Sequence, residues 1–366
     1  MVALLDAVDA AQRNGADADA RFPWDAHILK SRDHKAYVPF VISLEAVADS
    51  LKTGALYVRA VSRRAAAAIE QKSEVRAWLR GAQPTARVAE GISVPPGEMP
   101  VGGPAISSSR GITQAAAESS TLLELQRRRA ERDKAEAERA ERLLETRDPS
   151  LFPFEEYYFF DAKSWRAGAL HFVARAIALP AGDYDLYVAV ADRGHLKDRS
   201  PVVFERLITV PDFWNDELRL SSLMLTRDFH VLPAPLARKA QSEQPYTFGV
   251  ADATPNLTQT FSTNDVLTIV YQICNYGSPD ADVTADYRFF RVDGERRLFN
   301  ATRPQTLNGE DLPVADPWET QGFAVQRVPL ASFPAGRYEL EVSVRDRATR
   351  ATAKAVAAFT VKDRGN

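Results

Sequence analysis

Two stretches of this chain carry nearly the same text. LPAGDYDLYVAVADR runs from 179 to 193 and FPAGRYELEVSVRDR from 333 to 347, identical at nine of fifteen positions. Each opens on Pro-Ala-Gly, in which proline fixes φ and glycine tolerates positive φ, the composition of a tight turn. Apolar and polar residues then alternate with a period of two, the pattern of a half-buried strand. Tyr184, Leu186, Val188 and Val190 are expected on the buried face, with Asp183, Asp185, Tyr187 and Ala189 towards solvent. In the second copy Tyr338, Leu340, Val342 and Val344 point in, and Arg337, Glu339, Glu341 and Ser343 point out.

A further strand follows each copy, VVFERLITV at 202–210 and AKAVAAFTV at 353–361. Turn, tyrosine-led strand and closing strand make the last hairpin of an immunoglobulin-like sandwich, the tyrosine sitting where it would pin the crossing loop. Two copies predict a mostly β chain with two antiparallel immunoglobulin-like β-sandwiches. The second spans 221–363, with VLTIVYQICNYG as a buried strand and Asp293-Gly294 as a hairpin turn. The first is split, combining 22–64 with 153–211. Between them, 65–152 reads as an insertion: a helix over 65–80, a Pro-, Gly- and Ser-rich linker over 81–112, and a long charged helix over 113–147.

A chain of 366 residues has room for two or three such domains, and a net charge of -3 argues against a nucleic-acid binder. One cysteine, Cys274, rules out an internal disulfide and a zinc site built on cysteines. No apolar run reaches the roughly 18 residues of a membrane span. The opening MVALLDAVDAAQRNG carries Asp6 and Asp9 inside its apolar stretch and has no cationic start, so it does not read as a secretory signal. Either the protein is intracellular or the chain starts after a removed leader.

No catalytic signature of the nucleophile-elbow, zincin or Cys/His type is present, and the five histidines lack metal-ligand spacing. GGPAISSSRG lacks the lysine of a phosphate loop and follows no strand, so it reads as linker. No cofactor, metal or catalytic residue is expected. On the charged helix, Glu124–Arg128 and Glu138–Arg142 have favourable i,i+4 spacing. Leu123, Ala130, Ala137 and Leu144 recur every seven residues and form a narrow seam, either lying on the sandwich or docking a protein partner or a second copy. Aromatics crowd FPFEEYYFFDAKSW (152–165). Phe154, Tyr157 and Phe159 are expected in the core, with a glycan platform of Tyr157, Tyr158 and Trp165 as the alternative. Phe213 and Trp214 are expected at the joint between the sandwiches.

The first repeat with the following ITVPDFWNDELRLSSLMLTRDFHVLPAP, and the later QPYTFGVADATPNLTQTFSTNDVLTIVYQICN and VPLASFPAGRYELEVSVRDRAT, resemble β-sandwich regions of large exported proteins of Acidobacteria-type bacteria. Some relatives of those proteins carry von Willebrand factor A-related or GWxTD-type domains. The resemblance covers about 150–363 and more weakly 22–64, and it implies an extracytoplasmic setting. The Asp-x-Ser-x-Ser metal motif and a Gly-Trp-x-Thr-Asp stretch are absent, so no adhesion site carries over. The reading is a non-enzymatic structural or protein-binding module contacting a partner through its charged helix and sheet edges. Alternatives are a carbohydrate-binding module and, less favoured, a hydrolase whose carboxylates meet only in three dimensions.

Overall fold

The computed structural model describes residues 2–15, 23–31, 33–70, 127–128, 131, 148–161, 171–195, 200–237, 240, 244–276, 283–307 and 321–363. The chain begins with helix α1 (Val2–Asn14), followed by strands β1 (Trp24–Ala26), β2 (Leu29–Lys30), β3 (Ala36–Ser43) and β4 (Thr53–Ser62). Helix α2 (Arg63–Glu70) precedes β5 (Phe154–Asp161), β6 (Phe172–Leu179), β7 (Gly182–Asp192), β8 (Val202–Val210), β9 (Arg219–Leu220) and β10 (Met224–Thr226). Then come β11 (Phe229–Val231), β12 (Thr247–Phe248), β13 (Ala251–Ala253), β14 (Thr260–Ser262), β15 (Val266–Cys274) and β16 (Val283–Arg291). The last are β17 (Arg297–Ala301), β18 (Gln305–Leu307), β19 (Gln321–Pro329), β20 (Gly336–Asp346) and β21 (Thr352–Lys362). The fold is mostly β, built of several largely antiparallel sheets.

Internal contacts divide the chain into two compact units. One comprises Met1–Asp17, Thr53–Phe160 and Asp185–Arg206; the other comprises Ala18–Lys52, Asp161–Tyr184 and Leu207–Asn366. The second unit holds the larger core. A six-stranded sheet in the order β14-β21-β20-β16-β17, with β18 continuing the edge along β16, faces a four-stranded sheet of β10-β15-β19 and β9. Between them lie Leu267, Ile269, Tyr271 and Ile273 from β15, and Tyr338, Leu340, Val342 and Val344 from β20. Strand β20 alternates as its sequence requires, every second residue being buried from Tyr338 to Asp346. The Asp293-Gly294 turn joins antiparallel β16 and β17. The outer face of β15 is buried too, because Val41 of β3 packs with Met224, Tyr246, Ala253 and Val270.

The repeated motif does the same job twice. The Tyr338 hydroxyl donates to the Pro334 carbonyl at 2.7 Å, and the Tyr184 hydroxyl to the Pro180 carbonyl at 3.0 Å. Gly182 and Gly336 sit at φ +149° and +156°, where a side chain is disfavoured. The closing aspartates also match. Asp346 is fully buried and caps the following turn, accepting from the Ala348 N–H at 2.9 Å and the Thr349 hydroxyl at 2.8 Å. Asp192 accepts from the Gly194 N–H at 2.9 Å and the Thr53 hydroxyl at 3.2 Å.

In the first unit the expected one-sided alternation of β7 gives way to burial on both faces from Leu186 to Asp192. Tyr187, Ala189 and Ala191 do not face water. They pack with Leu4, Leu5, Val8 and Ala11 of α1 and with Ala55, Tyr57 and Val61 of β4. The apolar stretch at the start of the chain is thus a helix covering part of the sheet β5-β4-β7-β8. Helix α2 starts at Arg63, two residues before the expected position. Among the described residues no helix is long and apolar enough to cross a membrane.

Candidate functional site: an open sheet edge

The six-stranded sheet ends on β21 along one side. All of β21 from Thr352 to Val361 pairs antiparallel with β20. On the opposite side β14 adds a short parallel partner, but only at Thr360–Lys362. Among the described residues, the outward backbone groups of 352–358 have no neighbouring strand. The two-residue β9 approaches β21 yet pairs with β15.

Side chains guard this edge with a single lysine. Natural edge strands are blunted by charges, proline, bulges or a covering element. Residues 352–358 read TAKAVAA: no proline, one charge and six small or apolar residues. On the solvent face Thr352, Lys354, Val356 and Ala358 are exposed, Val356 to 55%. On the other face Ala353, Ala355 and Ala357 touch the core but stay half-buried, because a methyl group is too short to seal it. The Lys354 ammonium is held 3.3 Å from Glu341, a weak exposed pair. A strand with open backbone groups beside a lane of half-buried alanines is the surface onto which an extended segment can add.

The expected contact residues fall elsewhere. Leu123, Ala130, Ala137 and Leu144 lie outside the described residues, as does Trp165. Of the stretch expected as a charged helix, the described residues Arg127, Arg128 and Glu131 are helical, and Arg127 pairs with Glu131 at 3.0 Å across one turn. Tyr157 turns inward and stacks on Tyr57, ring centroids 4.5 Å apart. Tyr158 donates to Glu156 at 2.5 Å. Phe159, expected in the core, is 44% exposed, with the Arg193 guanidinium 5.1 Å from its ring centre. By alternation Phe159 shares a face with the buried Glu155 and with Tyr157, so its exposure departs from the strand's pattern, and Phe154 lies on the opposite face. Phe213 is fully buried and Trp214 half-buried, the two rings meeting edge to face at 6.1 Å. The Phe213 carbonyl accepts from the Asn275 amide at 2.8 Å.

Two buried polar clusters had no signature in the sequence. In the first unit Arg59 is fully buried on β4. Its guanidinium donates to Glu155 at 2.6 Å, Asp9 at 2.5 Å, Gln12 at 3.1 Å and the Tyr57 oxygen at 3.0 Å. Tyr57 in turn donates to Glu155. Burial works against the charge on Arg59, but Tyr57, Glu155 and Asp9 outweigh it and hold its pKa above the usual guanidinium value. This arrangement ties α1 to β4 and β5 with charge-assisted bonds through Nε and Nη1 of Arg59, while its Nη2 is buried without a hydrogen-bond partner among the described residues. In the second unit His27 is 3% exposed, with Nδ1 3.4 Å from the Tyr246 hydroxyl. Burial lowers its pKa, Asp25 and the Leu223 backbone offsetting only part of that. A cleft of about 250 Å³ nearby is lined by Trp24, Asp25, Ala26, Ile28, Leu207, Ile208 and Thr209. Among the described residues no three histidine, cysteine or carboxylate side chains are grouped to hold a metal.

No family model and no curated protein matches the chain. Solved structures give weak similarity. One is a Bacteroides uniformis beta-glucuronidase, at 7% identity and TM-score 0.24, covering 89% of this chain and 26% of that one. Another is a calcium-binding mutant of Bacteroides uniformis beta-glucuronidase 2, at 8% identity and TM-score 0.23, covering 92% and 27%. The chain spans about a quarter of the length of these proteins.

Proposed function

We propose that this chain is a non-enzymatic protein-binding module that takes up an extended segment of a partner on the open edge of its six-stranded sheet. The observation that carries the reading is the stretch 352–358, a β edge with one charge, no proline and unpaired outward backbone groups among the described residues. An added strand would complete those groups and cover Val356, gaining main-chain hydrogen bonds and apolar burial together. The charged segment over 113–147, expected from its sequence as a helix, belongs to the proposal as a second contact. So does the extracytoplasmic setting implied by the resemblance.

Guarding the edge tests the idea. Val356→Lys combined with Ala358→Lys adds two charges on the exposed face, the device natural edges use. A partner recovered from the native host by the full chain should be lost by this double variant. In the recovered complex, amide exchange over 352–358 should slow. Capture that survives the double variant undiminished overturns the edge as the contact surface. Deleting 113–147 separates the helix contribution, because unchanged capture removes the helix from the mechanism.

A further inference from the structure

Resting on that edge reading, we infer that the segment seated on β21 is β21 of a second copy, running antiparallel about a two-fold axis through Ala355. In an antiparallel pair, residues directly opposite share a face, so a two-fold axis normal to the sheet must pass through a residue and not between two. Few positions fit. An axis at Lys354 sets the two ammonium groups against each other. At Val356 or beyond it, the added strand reaches Thr360, where β14 already sits. At Ala353 the ladder is cut short by the turn before Thr352. Ala355 leaves the longest clear ladder, from 352 to 358.

That register is also chemically self-complementary. Lys354 of each copy lies opposite Val356 of the other, and Thr352 opposite Ala358. The two lysines sit on the diagonal and not directly opposite, and each exposed valine gains the aliphatic stem of a lysine. On the core side Ala353 faces Ala357 and Ala355 faces itself. The small side chains let the two edges approach and seal the half-buried lane. The two six-stranded sheets then become one continuous sheet.

Sedimentation of the full chain over a concentration series tests this with two single variants. The wild type should dimerise reversibly. Val356→Lys places a lysine opposite Lys354 of the partner subunit twice over and should weaken association about tenfold or more, like charges directly across strands being repulsive. Val356→Glu places a carboxylate opposite the same lysine and should keep or tighten the dimer. Fold stability pulls the other way, since position 356 sits beside Glu341 on β20, where a lysine is welcome and a glutamate is not. Unfolding therefore cannot mimic the expected pattern. A wild type that stays monomeric to about 100 µM, a concentration at which a micromolar dimer would be nearly full, overturns the inference. So does a Val356→Glu variant that dissociates as fully as Val356→Lys. A monomer whose 352–358 amides are protected by a different protein would sink self-pairing and leave strand addition standing.

Discussion

Tyr338 reaches back four residues to the Pro334 carbonyl, and Tyr184 does the same to Pro180; in both copies one hydroxyl fixes the turn before the strand. Removing either hydroxyl leaves a carbonyl short of a donor, a loss of about 0.5–1.5 kcal/mol per bond. Tyr184→Phe and Tyr338→Phe should each lower the unfolding free energy by that amount, read as a lower urea midpoint with the slope unchanged. Arg59 carries more. Arg59→Ala strands Glu155, whose side chain is 3% exposed, without its cation. Removing one partner of a buried pair costs about 3–5 kcal/mol. The expected readouts are lower stability and faster amide exchange in α1 and β4. Adding Glu155→Leu to Arg59→Met should recover part of the loss, since that pair then leaves no charge in the core. An Arg59→Ala protein as stable as the wild type would show that the cluster is ornamental.

Among the elements, β20 and β7 differ in how readily their burial could be read from sequence. Both alternate in sequence, and for β20 alternation is the whole account, because one face meets the opposite sheet and the other meets water. In β7 the outward positions are Tyr187, Ala189 and Ala191, small or ambivalent residues that sit equally well under another element. That element is α1. Leu4, Leu5, Val8 and Ala11 make a legible helical stripe, but a stripe does not say which sheet face receives it. Leu5→Ala should therefore cost about 2–5 kcal/mol, the range for a leucine truncated in a packed core. Calorimetry or urea unfolding checks it, and a change below 0.5 kcal/mol would mean that α1 is not packed as described. The open edge of β21 was hidden for a related reason. AKAVAAFTV reads plainly as a strand, yet whether a strand is central or at an edge depends on sheet order, which sequence spacing does not encode. Arg59, in GALYVRAVSRR, looks like any surface arginine until β4 is seen to be buried on both faces.

For the molecule as a whole, His27 makes stability depend on pH. Burial holds its pKa below the ordinary value of 6.5, so the folded protein keeps the ring neutral where the unfolded chain takes up a proton. The stability in question is fully present above pH 6.5 and drains away as pH falls from there towards the folded value. Urea unfolding should show stability falling as pH goes from about 7.5 to about 5.5, and His27→Gln should flatten that part of the profile. If the slope survives the substitution, another group owns it. The second unit should show the effect and the first should not, since His27, Asp25, Leu223 and Tyr246 all belong to the second. Finally, Cys274 is the chain's single sulfhydryl and is fully buried on β15. Maleimide reagents will pass it by in the folded state, so a probe attached through Val356→Cys would be the sole label, and spin–spin distances could be collected on an otherwise native background.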